Sequence, residues 1–431
     1  MLFNHTERKR FVVLGLDGLP ASLALRWAKK LPNLSRIAGK SEPINAELPE
    51  LSPVNWTSFF TARKPEKHGL YGFTSIDPRT YTLSINNFAQ VLCPTIFDTL
   101  GENNLVCKII NLPNTYPAKP LRGMLISGFV ADSLERAVQP PFLLGPLREA
   151  GYQLEADTSR GILEPDYLFN QVAHTLDCRL QALEMLWNDL AWDLFTIVFT
   201  ETDRLFHFFY PAFEDENHPL YPKAAEFIYK LDKAIGIVLD KFEALPGEKK
   251  LISFADHGFA SLETEVDLNT FLAQQGYLEY THRPKNQWDS TIISPASKAF
   301  ALDPGRIYIH TSDFARGQID PAHVEAIAAE IADQLMQLEF NGQQVMNKVL
   351  TRREAYGENP VGNPPDLICT AKPGFDLKAK FDRAEIFGFH GRTGTHTVQD
   401  AFFYSSDGQQ ISTMHQTGQI ILDWFNITLT D

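Results

Sequence analysis

Short apolar runs recur along the chain, and each one stops at polar side chains. The clearest runs are Phe11–Leu16, Leu194–Phe199 and Leu251–Ala255. They are rich in β-branched and aromatic residues and are apolar at successive positions, which is typical of strands buried on both faces of a parallel sheet. The pattern therefore predicts central strands of a covered sheet.

The segments between these runs include amphipathic helical patterns. Pro222–Phe242, for example, places apolar residues at helical spacing, with Lys and Glu on the other face. Alternation of strand and helix predicts an α/β fold with a doubly wound, mostly parallel sheet flanked by helices. The ligand crevice of such a sheet lies beyond the carboxyl ends of its strands. We therefore expect the polar residues that end the three runs to face one crevice.

The composition of the chain changes between Asp267 and Lys380. Pro and Gly are frequent there, and one helix is predicted at Pro321–Leu338. We interpret residues 267–380 as an inserted cap subdomain that shapes the substrate pocket. The catalytic core is then formed by residues 8–266 and 381–431. The proline-rich stretch Asn111–Leu163 is a second candidate for the same cap.

Composition and charge limit the possible partners. The 431 residues are 44% hydrophobic and 21% charged, which excludes disordered and fibrous proteins. A net charge of −14 argues against a nucleic acid polymer or an anionic membrane surface as the main partner. The same charge would repel a phosphorylated substrate unless something local and positive reverses the field. Bound metal ions could do so.

The ends and the cysteines of the chain bear on its location. The N-terminal segment has no apolar core followed by a small-residue cleavage site, so no signal peptide is predicted. No apolar run approaches the ~18 residues that a membrane span requires. The four cysteines show no CxxC spacing, which favours reduced thiols over a disulfide framework. We therefore expect a cytoplasmic protein without a membrane span.

Ser52 and Pro53 begin a predicted helix, Pro53–Thr61. Ser at the N-cap followed by Pro is a strong start signal, so Ser52 could simply cap the helix. Alternatively, the free N–H groups and the dipole of the helix N-terminus could stabilise a serine alkoxide and an incoming phosphate. Asn55, one turn later, could donate to an anionic oxygen or could lie at the surface. Taken alone, the segment leaves both interpretations open.

Asp and His residues gather at the ends of the predicted strands. The six residues are Asp17, Asp203, His207, Asp256, His257 and His396. Each taken singly would more often be a cap, an ion pair or a core histidine, but six in one sheet are harder to explain in that way. Two sets of three N/O ligands would make a two-metal site suited to in-line phosphoryl displacement. The mixed Asp/His shell favours Zn²⁺, with Mn²⁺ as the alternative, over Mg²⁺.

In this order the motifs resemble those of the alkaline phosphatase superfamily, especially its type I phosphodiesterase/nucleotide pyrophosphatase branch and the bacterial phosphohydrolase and phosphomutase-like proteins. Ser52-Pro-Val-Asn55, followed by Pro65-Glu-Lys-His68-Gly69, is similar to the nucleophile segment of the family. The resemblance runs from Asp17 to His396, which is nearly the whole chain. It implies an alkaline-phosphatase-like core and a metal-dependent phosphoric ester hydrolase.

The resemblance also implies residue roles. Ser52 would be the nucleophile that forms a phosphoserine intermediate, and Asn55 would help to bind a non-bridging phosphoryl oxygen. Two divalent metal ions would be bound, one by Asp17, Asp256, His257 and the Ser52 oxygen, and the other by Asp203, His207 and His396. The substrate would be a small phosphorylated molecule.

Two positions depart from the pattern of the family. Pro53 replaces the aromatic residue that follows the nucleophile in nucleotide pyrophosphatases, which weakens an inference of nucleotide specificity. The last histidine ligand could be His390, in a His-Gly pair, or His396, in Gly-Thr-His. We prefer His396 and expect His390 to lie near the substrate. Lys298 and Arg306 are further substrate-binding candidates, or alternatively solvated residues of the cap.

Three functions remain under consideration. The first is a phosphodiesterase/nucleotide pyrophosphatase-like hydrolase. The second is a phosphomonoesterase, or a phosphomutase that returns the phosphoryl group to a small phosphorylated metabolite. The third is a relative that binds a phosphorylated ligand without turnover. Against the third, none of the nucleophile and metal positions implied by the resemblance is lost.

Overall fold

A computed structural model describes residues 8–429, and the chain divides into two compact units. The first unit comprises the residues up to Lys64, Asn87–Phe259 and the residues from His396 onward. The second comprises Pro65–Asn86 and Ala260–Thr395. Residues 1–7, which belong to the segment considered above for a signal peptide, lie outside the described residues.

The boundaries of the second unit differ from those predicted for the cap. The unit begins at Ala260 instead of 267, ends at Thr395 instead of 380, and includes Pro65–Asn86. Strand pairing accounts for the wider bounds of the insert, because Thr264–Asp267 pairs with Phe375–Lys378, inside the predicted insert, and with Phe387–Gly388, beyond its predicted end. Asn111–Leu163, the second candidate for the cap, lies in the first unit.

An eight-stranded sheet forms the centre of the first unit. Its spatial order is Glu42–Ile44, Ala401–Ser405, Lys249–Phe254, Arg10–Leu16, Leu194–Phe199, Cys107–Leu112, Gly123–Ser127 and Val138–Gln139. The five strands from Lys249–Phe254 to Gly123–Ser127 run parallel. Ala401–Ser405 and Val138–Gln139 flank them antiparallel, and Glu42–Ile44 pairs antiparallel with Ala401–Ser405. The predicted doubly wound, mostly parallel α/β fold is therefore confirmed.

The central strands are covered on both faces, as their continuous apolar runs predicted. Every residue of Arg10–Leu16 and Leu194–Phe199 is buried. Helices provide the cover because each presents an apolar stripe; Tyr221–Glu243, for example, buries Phe227, Leu231 and Val238. The α-helices of this unit are Ala21–Ala28, Ser35–Ala38, Ser52–Thr61, Ile96–Glu102, Leu134–Ala137, Leu144–Glu149, Pro165–Trp187, Glu201–Glu214, Tyr221–Glu243 and His415–Trp424.

The second unit has smaller sheets and its own apolar core. A four-stranded antiparallel sheet has the order Ala299–Leu302, Arg306–Ile309, Leu367–Ala371 and Met346–Thr351. A three-stranded sheet has the order Phe375–Lys378, Thr264–Asp267 and Phe387–Gly388. Two hairpins are formed by Thr74–Ile76 with Leu83–Ile85, and by Glu339–Phe340 with Gln343–Gln344. The α-helices are Pro65–His68, Leu268–Gln274, Val324–Met336 and Arg352–Tyr356.

The short strands Gly258–Ser261 and Gly394–Thr397 carry the chain out of the first unit and back into it. Within residues 8–429, none of the helices combines the length and the apolar character that crossing a membrane demands. The location expected from the sequence stays a prediction.

Candidate active site

Three carboxylates lie at the carboxyl ends of three adjacent parallel strands. Asp17 and Asp256 follow their strands within two residues. Asp203 lies in the first turn of the helix Glu201–Glu214, which follows the third strand. All three side chains are buried. The crevice expected from the sheet topology is therefore lined by acidic groups.

Three histidines complete the cluster. His257 directly follows Asp256, and His396 lies on the short strand Gly394–Thr397. His207 is four residues after Asp203 and shares its helix face, because the non-helical break at Phe209 comes only later. The six residues form two groups, each with its ligand atoms within 4.8 Å of one another: Asp203, His207 and His396, and Asp17, Asp256 and His257.

The distances join the two groups into one centre. Asp203 Oδ1 lies 3.3 Å from His207 Nε2 and 3.2 Å from His396 Nε2. It also lies 3.9 Å from Nε2 of His257, in the other group. His257 Nε2 is in turn 3.3 Å from Asp256 Oδ2. Six N/O ligands in this arrangement suit a pair of divalent cations.

Each carboxylate has one oxygen held by a donor and one oxygen without a donor. The donors are Trp56 Nε1 to Asp17 Oδ2 at 3.1 Å, Arg204 Nη1 to Asp203 Oδ2 at 2.7 Å, and the Gly18 N–H to Asp256 Oδ1 at 3.1 Å. The other oxygen of each is buried and accepts no hydrogen bond from the described residues. Three buried carboxylate oxygens without donors are costly unless the acids are protonated or meet a counter-charge, and bound cations would provide that charge.

The tautomers of two histidines follow from their backbone contacts. His257 Nδ1 lies 3.0 Å from the Gly258 carbonyl, and His396 Nδ1 lies 2.9 Å from the Glu50 carbonyl. A carbonyl only accepts, so each Nδ1 carries the proton and each Nε2 presents its lone pair to the carboxylates. Burial also lowers the pKa of both imidazoles. Both are therefore in the neutral form that binds metal ions.

The carboxylates show how much negative charge the site concentrates. Burial, followed by repulsion from neighbouring carboxylates, raises the pKa of Asp17 well above its usual range. The same causes raise the pKa of Asp256 to about 6. Burial also opposes ionisation of Asp203, but His207 and Arg204 outweigh burial and hold its pKa well below the usual range. In the absence of cations, two of the three acids therefore resist ionisation.

Ser52 is the first residue of its helix rather than the cap. Leu51 occupies the N-cap position, and no side chain caps this helix. Ser52 Oγ instead lies 3.3 Å from His257 Nε2. The hydroxyl therefore faces the ligand cluster at a helix N-terminus, where the helix dipole favours anions.

The amide of Asn55 is not directed to the phosphoryl-binding role that the resemblance implies, and it does not lie at the surface. It is fully buried, and its Oδ1 accepts from the Glu47 N–H at 2.6 Å. Its Nδ2 faces three carbonyls of residues 47–51 at 3.2–3.4 Å. These contacts occupy the whole amide, so Asn55 braces the 47–51 loop instead of turning to a phosphoryl oxygen. The braced loop includes the Glu50 carbonyl that orients His396.

The remaining candidates, Lys298, Arg306 and His390, belong to the second unit. Arg306 is 1% exposed and donates to the carbonyls of Thr74 at 2.8 Å and Asp303 at 3.0 Å. The prediction that Arg306 contacts substrate is therefore replaced by a structural role, because neighbouring backbone saturates its guanidinium. Lys298 and His390 are exposed, and their substrate contacts stay predictions.

Three donors to the carboxylates, Gly18, Trp56 and Arg204, were not predicted from the sequence. Two signals were available: Trp56 is four residues after Ser52 and so shares its helix face, and Arg204 adjoins Asp203. Gly18 has a φ of +69°, which favours glycine and allows its N–H to meet Asp256. Such a backbone angle has no simple pattern in the sequence.

The doubly wound sheet, the paired Asp/His groups at its carboxyl edge and the serine at a helix N-terminus are the arrangement expected of a phosphoryl hydrolase of the alkaline phosphatase superfamily. A family profile assigns the chain to one family within this superfamily. The chain belongs to the type I phosphodiesterase/nucleotide pyrophosphatase family, whose profile matches residues 11–393. It is thus an enzyme of the phosphoric ester hydrolase class, and the resemblance found in the motifs is confirmed.

Solved structures share this fold. Phosphonoacetate hydrolase from Sinorhizobium meliloti 1021, in complex with phosphonoacetate, has a TM-score of 0.65 and 16% identity, over 97% of this chain and 96% of that chain. Murine ectonucleotide pyrophosphatase/phosphodiesterase 5, solved as an inactive variant with AMP, has a TM-score of 0.57 and 12% identity, over 98% and 96%. At these identities the likeness concerns the fold. No curated protein matches the sequence.

Proposed function

We propose that the protein is a metal-dependent phosphoric ester hydrolase of the phosphodiesterase/nucleotide pyrophosphatase type, acting through a phosphoserine intermediate at a two-metal site. One observation carries the proposal. Beside Ser52 Oγ, three buried carboxylates each direct a donor-free oxygen into a cluster that also contains three imidazoles. Buried carboxylates packed this closely are costly without a counter-charge, and bound cations would supply that charge.

The residues fit two divalent ions. Asp17, Asp256, His257 and the Ser52 oxygen would hold one ion, and Asp203, His207 and His396 the other. Zn²⁺ suits three imidazole nitrogens and three carboxylates, with Mn²⁺ as the alternative. When bound, such ions lower the pKa of the nucleophile and of water and stabilise the charge on the leaving oxygen.

The chain's own groups account for the covalent steps. Ser52 Oγ loses its proton and attacks phosphorus, the ester P–O bond breaks, and the leaving alcohol takes up a proton. Water then attacks the phosphoserine, the Oγ–P bond breaks, and the hydroxyl of Ser52 is restored. The N–H group of Ser52 would bind a non-bridging oxygen. It is the available donor of the first turn, because Pro53 has no N–H and the N–H groups of Val54 and Asn55 donate to the Leu51 carbonyl.

A second candidate is a phosphomonoesterase or phosphomutase that acts on a small phosphorylated metabolite. The residue after Ser52 is Pro53, which is buried and offers no aromatic ring for a nucleotide base. This feature favours a compact substrate. In a mutase the phosphoryl group would pass from Ser52 to a substrate hydroxyl instead of to water, with the same nucleophile and the same ligands.

One assay series tests the proposal. The protein is stripped of metal and reconstituted with Zn²⁺, Mn²⁺ or Mg²⁺, and bound metal is counted. Each form is then assayed with bis(p-nitrophenyl) phosphate, with p-nitrophenyl phosphate and with a panel of phosphorylated metabolites. We expect about two bound ions and metal-dependent hydrolysis of the diester. Preference for the monoester, or transfer without release of phosphate, would identify the second candidate. Metal-independent hydrolysis would contradict both.

A further inference from the structure

We propose that Arg204 is a positioning residue that, with Glu155 as its anchor, holds the Asp203 carboxylate with a single oxygen toward the metal pair. The inference rests on the metal site of the proposed function. It concerns the orientation of one ligand rather than the identity of the ligands.

The guanidinium of Arg204 is fixed at two edges and on one face. Nη1 donates to Asp203 Oδ2 at 2.7 Å, and Nε donates to Glu155 Oε2 at 3.0 Å. The guanidinium carbon lies 4.5 Å from the centroid of the Phe129 ring. A planar fork bound in this way has one orientation, so it selects which oxygen of Asp203 it binds.

Glu155 is itself held in place by the neighbouring helix Pro165–Trp187. Arg179 of that helix donates from its two terminal nitrogens to the carbonyls of Gln153 and Leu154. Its Nε lies 3.6 Å from Oε1 of Glu201, two residues ahead of Asp203. Arg179 and Arg204 therefore tie the same short segment, residues 153–155, to the first turn of the helix that carries Asp203.

The role of Arg204 is explained by how it orients Asp203 and not by electrostatic attraction of the metal ion. A positive guanidinium repels a metal ion, so its charge alone would weaken metal binding. Its hydrogen bond, however, occupies Asp203 Oδ2 and leaves Oδ1 beside the imidazoles of His207 and His396. A carboxylate restricted to one oxygen leaves a coordination position of the ion open for substrate or water, as a catalytic site requires. Glu155 offsets the charge of the guanidinium.

The positive charge of Arg204 weakens metal binding, whereas its orientation of Asp203 strengthens metal binding. Removal of Arg204 therefore distinguishes the two effects by the direction in which the affinity changes. We would measure Zn²⁺ binding to the metal-free protein by calorimetry, and the absorption spectrum of the Co²⁺-substituted protein, for Arg204→Met and Arg204→Lys. Loss of positioning predicts 10- to 100-fold weaker binding at one site of Arg204→Met and a shifted Co²⁺ spectrum. Arg204→Lys should recover part of the affinity, because an ammonium can bind one carboxylate but not two in a fixed fork.

The matched control is Arg160→Met. Arg160 has a 60% exposed side chain and lies 3.8 Å from Glu164. Its substitution removes one positive charge, as Arg204→Met does, but from the loop that follows Glu155. We expect unchanged metal binding and an unchanged spectrum. Glu155→Gln covers the case in which Arg204→Met fails to fold; it keeps the shape of the anchor and should weaken the same site several-fold.

Wild-type or tighter binding with an unchanged Co²⁺ spectrum, in Arg204→Met or, if that variant is unfolded, in Glu155→Gln, would overturn the inference. The proposed function would fail differently, because the wild-type protein itself would then bind no pair of ions.

Discussion

The indole N–H of Trp56 donates to Oδ2 of Asp17 at 3.1 Å. Trp56 is fully buried, and its ring packs against Phe254 with 5.2 Å between the centroids. Four residues separate Ser52 from Trp56, so one helix face presents both the proposed nucleophile and the donor that orients a proposed metal ligand. The helix therefore fixes the serine and Asp17 relative to each other.

Trp56→Phe tests this relationship, because it removes the N–H and keeps an aromatic ring. We expect about tenfold weaker Zn²⁺ binding at the Asp17 site, since loss of an orienting partner typically costs 10–100-fold. The matched control is Trp192→Phe, because Trp192 is also fully buried and donates to the Trp187 carbonyl at 3.2 Å. The control should lose stability without losing metal affinity. Equal Zn²⁺ affinity in the two variants would show that the Trp56 bond does not orient Asp17.

Ser52→Ala should keep both metal ions and lose turnover by several orders of magnitude, because the attacking oxygen is gone. Acid quenching of the wild-type reaction with a ³²P-labelled substrate should trap phosphoprotein, and the variant should trap none. Ser58→Ala is the control: Ser58 lies in the same helix and is buried, and its Oγ donates to the Val54 carbonyl at 3.0 Å. Near-normal kcat in Ser52→Ala at saturating substrate would rule out the covalent mechanism.

Local pattern was sufficient to predict the strands and the ligands near them. Leu194–Phe199 has the same limits in the sequence analysis and in the structure, because an unbroken apolar run bounded by polar residues has only one way to lie in a covered sheet. Asp17 and Asp256 could be predicted for the same reason. Once two parallel strands are assigned, their carboxyl ends meet at one edge of the sheet.

Long-range hydrogen bonds could not be predicted in this way. The sequence leaves Arg306 as either a substrate contact or a solvated residue of the cap, but one of its acceptors is the carbonyl of Thr74, which is 232 residues away in sequence. Asn55 was placed on the correct helix, yet spacing does not reveal that its amide turns back to the Glu47 backbone. In both cases the side chain satisfies buried backbone groups, and the need for this arises only when the chain has folded.

Without bound metal, the stability of the folded protein should change with pH as Asp256 ionises. Its pKa is about 6 in the folded protein against a usual value of 3.8, mainly because of burial. Because the pKa of Asp256 is higher in the folded protein than in the unfolded chain, the stability that Asp256 contributes to the folded state is fully present below about pH 4. That stability is lost as the pH rises through about 6. Asp256→Asn, which keeps an acceptor for the Gly18 N–H, should therefore match the metal-free wild type near pH 4 and melt at a higher temperature at pH 7.

Thermal melts of both proteins, in EDTA and in excess Zn²⁺, test this prediction. The difference between the two proteins reports the titration of Asp256 together with that of Asp17, whose pKa Asp256 raises. The lowered pKa values of His257 and His396 act in both proteins. With Zn²⁺ the order should reverse at pH 7, since the wild type then has the carboxylate ligand. A metal-free Asp256→Asn protein that melts below the wild type at pH 7 would contradict the prediction.

His396 and His390 differ in what their loss should remove. His396 is oriented by the Glu50 carbonyl and directs Nε2 to Asp203 Oδ1 at 3.2 Å, so His396→Ala should abolish binding at one metal site. His390 is an exposed residue of the second unit, and His390→Ala should keep both ions and change KM or kcat modestly. Metal content of the two purified variants, measured by plasma mass spectrometry, distinguishes them. If His390→Ala loses an equivalent of metal and His396→Ala does not, the last ligand is His390 and the second metal group must be reassigned.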